Sequence, residues 1–285
     1  MSRLRTISKR ALDTCSRLSW NGVRAGSLLW LHLLASSPAA DLNSDARAVP
    51  RYLEPRHLTG TIYEKDTKPL RLLFTFRRSA KQDGSVTIVS REYMYPDGRP
   101  ASRETLRYER DELVRVESEQ LQIGARGKAI LQRVEGSSPK RLIQFEYQTG
   151  SGPKVKKASN DETQQGVVLI NDMIPGFLVA NWDDLMQGRA VRFRYLIISR
   201  LETIEFKLEK TEQTQLEERS VVRFRMRPTN RISQMMIDPI VFTVERDAPH
   251  RILQYPGRTS PRIQRGTRWQ ELDALTVFDW KDQPR

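Results

Sequence analysis

Apolar and polar side chains alternate along much of this chain. Within residues 70–77, Leu70, Leu72, Phe74 and Phe76 occupy every second position. A period of two places such a set on one face of a β-strand, whereas an amphipathic helix has a period of about 3.6 residues. The same alternation recurs almost to the end of the chain, so we predict roughly a dozen strands, each with one buried face.

One stretch departs from this period. Pro175 fits the first turn of a helix, because the N–H that proline lacks has no partner there, and Gly188 fits the position just after a helix. A second, shorter helical piece is predicted over 232–237. The apolar stripe of the main helix contains Phe177, Leu178, Trp182 and Leu185. The predicted fold class is mainly all-β, a curved antiparallel sheet or half-open β-barrel with one main helix.

Polar stretches divide the chain into parts. Residues 40–57 are polar and include Pro50 and Pro55, and we predict that they form a lead-in. Residues 58–285 have a length suited to one domain, and we predict a single β-rich domain there. Residues 149–165 contain few apolar side chains, which predicts a surface loop or a boundary between two lobes of that domain.

The first 39 residues have the three parts of a secretory signal peptide. Residues 1–24 are rich in arginine and lysine, residues 25–35 form an apolar run, and small residues follow up to Ala39 and Ala40. This order predicts export to the periplasm with cleavage near Ala39. The apolar run is shorter than the roughly 20 residues of a typical transmembrane helix. A single N-terminal anchor in the inner membrane is the alternative.

The chain is strongly basic, with a formal net charge of +13. Such an excess favours acidic partners. Six basic residues alternate with apolar ones on predicted strands, so we expect them on the outer face, where an anionic envelope surface or a protein partner would meet them. They are Arg192, Arg194, Lys207, Arg223, Arg225 and Arg227. Because Glu202, Glu205 and Glu209 lie among them, a solvated face of mixed charge is the alternative.

The residue types that carry catalysis are sparse. The chain has three histidines and one cysteine, Cys15, whereas a zinc site needs three or four closely placed ligands. Asp172, Asp183 and Asp184 are the carboxylates nearest the predicted helix, and we interpret them as its solvated surface. We therefore predict a protein that is not an enzyme and has no metal or other cofactor. Nucleic-acid binding is disfavoured, because the aromatic side chains alternate inward and form no exposed stacking platform.

The inward aromatic positions allow two interpretations. They form the core of the domain, or they line a cavity for an acyl chain if the sheet is only half closed. The candidate lining residues are Phe177, Trp182, Phe193, Tyr195, Phe206, Phe224, Met226 and Phe242.

Several short motifs resemble those of an uncharacterised family of exported proteobacterial proteins. They lie within roughly residues 165–260 and include Ile174-Pro-Gly-Phe177, Asn181-Trp-Asp-Asp-Leu185, Ile237-Asp-Pro-Ile240 and Tyr255-Pro-Gly-Arg258. The resemblance implies a periplasmic location and an antiparallel β fold, and it carries no catalytic residues. A curved sheet of this kind is also similar to the half-barrels of periplasmic lipoprotein carriers, which is an analogy of fold alone.

Two functions follow as expectations from these patterns. The first is a periplasmic, non-catalytic binding protein that holds a lipid or other apolar or amphiphilic ligand on the concave face of the sheet. The alternative is a structural or interaction protein of the cell envelope that uses the basic outer face to meet anionic lipid or a protein partner.

Overall fold

The structure is a computed structural model that describes residues 55–134, 140–150 and 156–280 of the 285-residue chain. The predicted signal peptide, residues 1–39, and most of the predicted lead-in, residues 40–57, lie outside the described residues. Export to the periplasm therefore stays a prediction.

The described residues form one sheet of fifteen strands. Every neighbouring pair is antiparallel except β9 and β10, which run parallel. The order across the sheet is β8-β7-β6-β5-β4-β3-β2-β1-β15-β14-β13-β12-β11-β10-β9. The strands are β1 (His57–Glu64), β2 (Leu72–Asp83), β3 (Val86–Met94), β4 (Pro100–Glu109), β5 (Glu112–Gln120), β6 (Ala125–Arg133), β7 (Lys140–Thr149), β8 (Lys156–Gln165), β9 (Val168–Leu169), β10 (Val191–Ile197), β11 (Glu202–Leu216), β12 (Arg219–Pro228), β13 (Ile240–Glu245), β14 (Ile252–Arg265) and β15 (Arg268–Asp279).

The sheet curves into a nearly closed barrel, which confirms the predicted fold class. Its register explains the alternation seen in the sequence, because cross-strand partners such as Phe193 and Phe206, or Phe224 and Phe242, point to the same side. This inner face carries the buried side chains, whereas the residues between them face outward.

The edge strand β8 approaches Leu201 and the start of β11 without pairing with them as a strand. The side-chain amide of Asn160 in β8 donates to the carbonyl oxygen of Leu201 at 2.9 Å. The backbone N–H of Thr203 in β11 donates to the Glu162 carboxylate at 2.7 Å. Side chains of β8 thus bridge the gap in the wall.

The prediction of a loop or lobe boundary over 149–165 is wrong for most of that segment. Thr149 ends β7, and β8 spans Lys156–Gln165 with ten backbone pairs to β7. Most side chains of β8 are exposed, so the sequence shows no apolar alternation. Backbone hydrogen bonds hold such an edge strand in place, and polar side chains protect it from pairing with other chains.

The predicted main helix is present as two short helices, α1 (Ile174–Ala180) and α2 (Trp182–Met186), which follow a 3-10 turn at Asn171–Met173. Pro175 lies in the first turn of α1, as predicted. The break falls at Asn181, whose side chain donates to the carbonyl oxygen of Phe177 at 2.8 Å. The shorter predicted piece is α3 (Arg231–Met236).

Candidate functional site

The eight predicted lining residues come together on one side of the inner face, which we call the apolar half. Phe177 and Phe224 are fully buried, and Trp182 and Tyr195 are half-buried. The ring of Phe177 lies 5.0 Å from that of Phe193, and the ring of Trp182 lies 5.4 Å from that of Phe224. The set comprises Phe177 of α1, Trp182 of α2, Phe193 and Tyr195 of β10, Phe206 of β11, Phe224 and Met226 of β12, and Phe242 of β13.

Helices α1 and α2 cover the apolar half from inside the barrel. The aromatic stripe is therefore part of the hydrophobic core. Burial of each large apolar side chain contributes about 1.5–3 kcal/mol of transfer free energy, so this packing is a major source of stability.

Ring contacts continue from the apolar half across the barrel. The ring of Tyr255 lies 5.5 Å from that of Phe242 and 6.0 Å from that of Phe278. Phe278 in turn lies 5.8 Å from Phe76, whose ring is 5.2 Å from that of Tyr93. These contacts lead directly to a group of buried charges.

We call this group the polar centre. It comprises Arg78, Arg91, Tyr93, Glu104, Tyr108 and Asp172. Strands β2, β3 and β4 supply five of these side chains at inward positions, and the 3-10 turn before α1 supplies Asp172.

One ion pair of the polar centre ties the turn before α1 to the sheet. Nε and Nη2 of Arg78 donate to the two oxygens of Asp172 at 2.6 and 3.0 Å. The two side chains are only 6% and 2% exposed. Tyr108 donates its hydroxyl to Asp172 at 3.0 Å, and Arg78 also donates to the backbone oxygen of Pro55. Such a bidentate, charge-assisted contact fixes the relative position of the two side chains more strongly than a neutral hydrogen bond does.

The second ion pair lies beside the first. Nη1 of Arg91 donates to Glu104 at 2.6 Å, and Nη2 donates to the Tyr93 hydroxyl at 3.0 Å. The Arg91 guanidinium also lies 5.3 Å from the centre of the Phe76 ring, within the range of a cation–π contact. Ser260 of β14 donates to Glu104 at 2.5 Å and so connects this pair to the opposite wall.

The polar centre holds fixed charges. Burial opposes ionisation of Asp172, but the hydrogen bonds and charge of Arg78 outweigh it and lower the pKa of the carboxyl. Burial disfavours the charged form of Arg91, yet Tyr93 and Glu104 raise its pKa overall. Burial also raises the pKa values of the Tyr93 and Tyr108 hydroxyls well above their usual range. At neutral pH these four groups therefore act as hydrogen-bonding and electrostatic partners, with no proton poised for transfer.

Three buried polar atoms, on β3, β4 and β14, have no hydrogen-bond partner among the described residues. They are Nε of Arg91, the Ser102 hydroxyl and the Thr259 hydroxyl. Leaving a buried polar group unpaired costs about 1–3 kcal/mol, so natural proteins pair nearly all of them. The interior of the barrel thus contains polar groups that form no hydrogen bond with the described residues.

The interpretation of Asp172 as part of a solvated helix surface is wrong, because its side chain is buried against Arg78. Asp183 is exposed, and Asp184 pairs with Arg189. Sequence reasoning missed Arg78, Arg91 and Glu104 altogether. Their signal was available, because each occupies an inward position of an alternating strand where apolar residues are expected.

The six predicted basic residues lie on the outer face of β10, β11 and β12, each close to a glutamate. Arg192 lies 3.4 Å from Glu205 and Arg194 lies 3.7 Å from Glu162. Glu209 is shared by Lys207, Arg225 and Arg227 at 2.8, 2.7 and 3.1 Å. Arg223 pairs with Glu212. Four glutamates thus offset most of the positive charge of this face.

Within the described residues, no group of three or more histidine, cysteine, aspartate or glutamate side chains is placed to hold a metal ion. None of the helices in this part of the chain has the length and apolar character needed to cross a membrane.

Comparison with known proteins gives no match to a family model, to a curated protein or to a solved structure. The resemblance to exported proteobacterial proteins and to lipoprotein carriers therefore stays a prediction from the sequence.

Proposed function

We propose that this protein is a non-catalytic binding protein of the periplasm that holds an amphiphilic ligand inside the barrel. The apolar part of the ligand lies along the apolar half, and its head group lies at the polar centre. The observation that carries the proposal is the division of one inner face into an aromatic side and a charged side with unused hydrogen-bonding atoms. The periplasmic location rests on the predicted signal peptide alone.

The chemistry of the polar centre favours a head group rich in hydrogen-bond acceptors. Among the described residues, the Nε–H of Arg91 and the hydroxyls of Ser102 and Thr259 have no hydrogen-bond partner, so they are available to donate. A carboxylate or phosphate oxygen accepts well from such donors. The aromatic side supplies the largely apolar lining that is typical of sites for lipids and similar molecules.

Ligand entry requires residues 171–186 to move. Helices α1 and α2 cover the apolar half, and the turn before them is fastened by Asp172 to Arg78. Outward displacement of this segment exposes both halves of the inner face together. The function proposed here therefore includes a cover that opens.

The first test is native mass spectrometry of the full chain purified from its natural compartment, followed by organic extraction. We expect a bound lipid or other amphiphile in a one-to-one ratio. A bare protein mass, together with no binding of a dansyl-labelled fatty acid, would overturn the proposal.

A matched pair of variants tests the head-group site. We expect Arg91→Gln to weaken binding of the dansyl fatty acid about tenfold or more, the usual range for a lost charge-assisted hydrogen bond. Binding of an uncharged apolar probe is expected to change little. Arg77→Gln on the outer face of the neighbouring strand is the control. Circular dichroism verifies folding, and equal loss of both ligands in a folded Arg91→Gln protein would contradict the head-group assignment.

A further inference from the structure

Helix α3 carries three exposed apolar side chains on a short, well-anchored helix. Ile232 is 73% exposed, Met235 is 88% exposed and Met236 is 57% exposed. Their spacing of three and four residues places them on one side of the helix. Exposed apolar groups of this size that lie together usually mark a contact surface.

The rest of α3 is fixed to the barrel. Asn230 caps the helix by accepting from the backbone N–H of Ser233 at 2.7 Å, and Ser233 is buried. The side chain of Gln234 donates to the carbonyl oxygen of Pro228 at 2.8 Å. The three apolar side chains therefore project from a held element.

The antiparallel order of the strands shows which connections share an end with α3. Successive antiparallel strands reverse direction, so the connections β1–β2, β3–β4, β5–β6, β10–β11 and β14–β15 lie at the same end as the β12–β13 connection that contains α3. We call this the α3 end. Exposed Leu70, Leu72 and Leu121 also belong to it. Six of the eight large apolar side chains that are exposed among the described residues are thus at one end.

Charge is also unequal between the two ends. The described connecting segments at the α3 end, residues 65–71, 95–99, 121–124, 150, 198–201, 229–239 and 266–267, contain six basic and three acidic residues. The described hairpin connections at the opposite end contain three basic and four acidic residues. Four exposed basic residues of the α3 end make no salt bridge with any described residue, namely Lys65, Lys68, Arg231 and Arg268.

We propose that the α3 end docks on the surface of a membrane that contains anionic lipid. Ile232, Met235 and Met236 enter the interface between head groups and acyl chains, and the unpaired basic residues contact lipid phosphates. Apolar insertion combined with attraction to anionic lipid is the general basis of peripheral membrane binding. This surface differs from the outer face of β10–β12, whose cations are paired with glutamates. The inference also stands independently of any ligand inside the barrel.

A local fluorescence measurement tests which part of the molecule meets the membrane. The full chain has one cysteine, so Cys15→Ser gives a background for placing an environment-sensitive nitrobenzoxadiazole label at Met235→Cys. The control is the same label at Val134→Cys, an exposed apolar position at the opposite end. Because the label reports its own surroundings, binding through the N-terminal residues does not imitate the signal.

With phosphatidylcholine vesicles that contain phosphatidylglycerol, we expect a blue-shifted emission from position 235 and quenching by spin-labelled lipid. Position 134 is expected to stay unchanged. No shift at 235, or equal shifts at both positions, would overturn the proposal and would leave a protein partner as the occupant of this surface. Vesicles of phosphatidylcholine alone are expected to give a weaker signal, and equal signals would refute the role of the basic residues.

Vesicle sedimentation with variants provides the second measurement. The triple change Ile232→Ser, Met235→Ser and Met236→Ser is expected to lower partitioning about tenfold or more, because buried apolar area largely determines interfacial binding. The control is Ile88→Ser, an exposed apolar residue on a strand away from this end. Both variants change exposed side chains, so near-native circular dichroism is expected for each. Unchanged partitioning of the folded triple variant would contradict the proposal. Fatty-acid binding measured without vesicles tests the proposed ligand site inside the barrel separately.

Discussion

Strands β10 to β13 place aromatic rings on the inner face, whereas β2 to β4 place two arginines and a glutamate at the corresponding inward positions. The apolar half is held by many small dispersion contacts and by the release of water, which depend only weakly on direction. The polar centre depends on a few charge-assisted bonds, such as that between Arg78 and Asp172, whose loss leaves a buried charge without compensation.

Two buried regions of one barrel are therefore expected to differ in how well they tolerate a substitution. A core of rings adapts to a similar side chain by repacking. A buried ion pair does not adapt in this way, because removal of one partner leaves the other charge buried without compensation for its desolvation. Hydrophobic residues of similar volume in place of the polar centre would fill the same space without the cost of desolvating charges.

Removal of the Asp172 charge is the largest effect expected. Asp172→Asn should lower the free energy of unfolding by about 3–5 kcal/mol, because Arg78 then remains buried as an unpaired cation. Urea unfolding followed by tryptophan fluorescence measures this change. The double variant Arg78→Met with Asp172→Leu is the control and should recover most of the loss, since both charges are gone. A single-variant effect within about 0.5 kcal/mol of the wild type would contradict the comparison.

The apolar half was predicted from the sequence, whereas the inward arginines and glutamate of the polar centre indicate only that charges lie inside the barrel and not how they pair. Phe193, Phe206 and Phe224 each lie in a strand whose apolar side chains recur at every second residue. This pattern is visible from neighbouring positions in the sequence alone. Arg78 and Asp172 are 94 positions apart in the sequence. Their pairing depends on the curvature of the sheet, which brings the turn at Asn171–Met173 next to β2. Strand β8 was missed for a related reason, because its backbone pairing with β7 leaves no mark on an exposed, polar sequence.

A conservative change in the apolar half should have a smaller effect than loss of Asp172. Phe224→Leu is expected to lower the free energy of unfolding by about 1–2 kcal/mol, because the smaller side chain leaves a gap that the surrounding rings partly close. The same urea titration measures it, with Leu121→Ala at an exposed turn as a control that should stay within about 0.5 kcal/mol. A loss above about 3 kcal/mol for Phe224→Leu would mean that the apolar half is as intolerant as the polar centre.

Ion pairs between arginine or lysine and glutamate also occur on the outer face of the barrel, where they are partly exposed to solvent. Burial raises the pKa of Glu209, but its bonds to Lys207 and Arg225 and the charge of Arg227 lower it overall, from an ordinary 4.5 to about 2. A lowered folded-state pKa stabilises the protein above pH 4.5, and this contribution is lost as the pH falls through about 2.

Glu209→Gln should therefore lower stability at pH 7 by only about 0.2–1 kcal/mol, because solvent screens a surface pair. The difference between this variant and the wild type should disappear as the pH is lowered from 4.5 to about 2. Thermal unfolding across that pH range measures both effects, and Glu212→Gln, which removes a single bridge to Arg223, should change stability less. If Glu209→Gln cost as much as Asp172→Asn at neutral pH, burial would not be what separates the polar centre from the outer face. A cost that persisted unchanged at low pH would show instead that the glutamate acts through its shape rather than its charge.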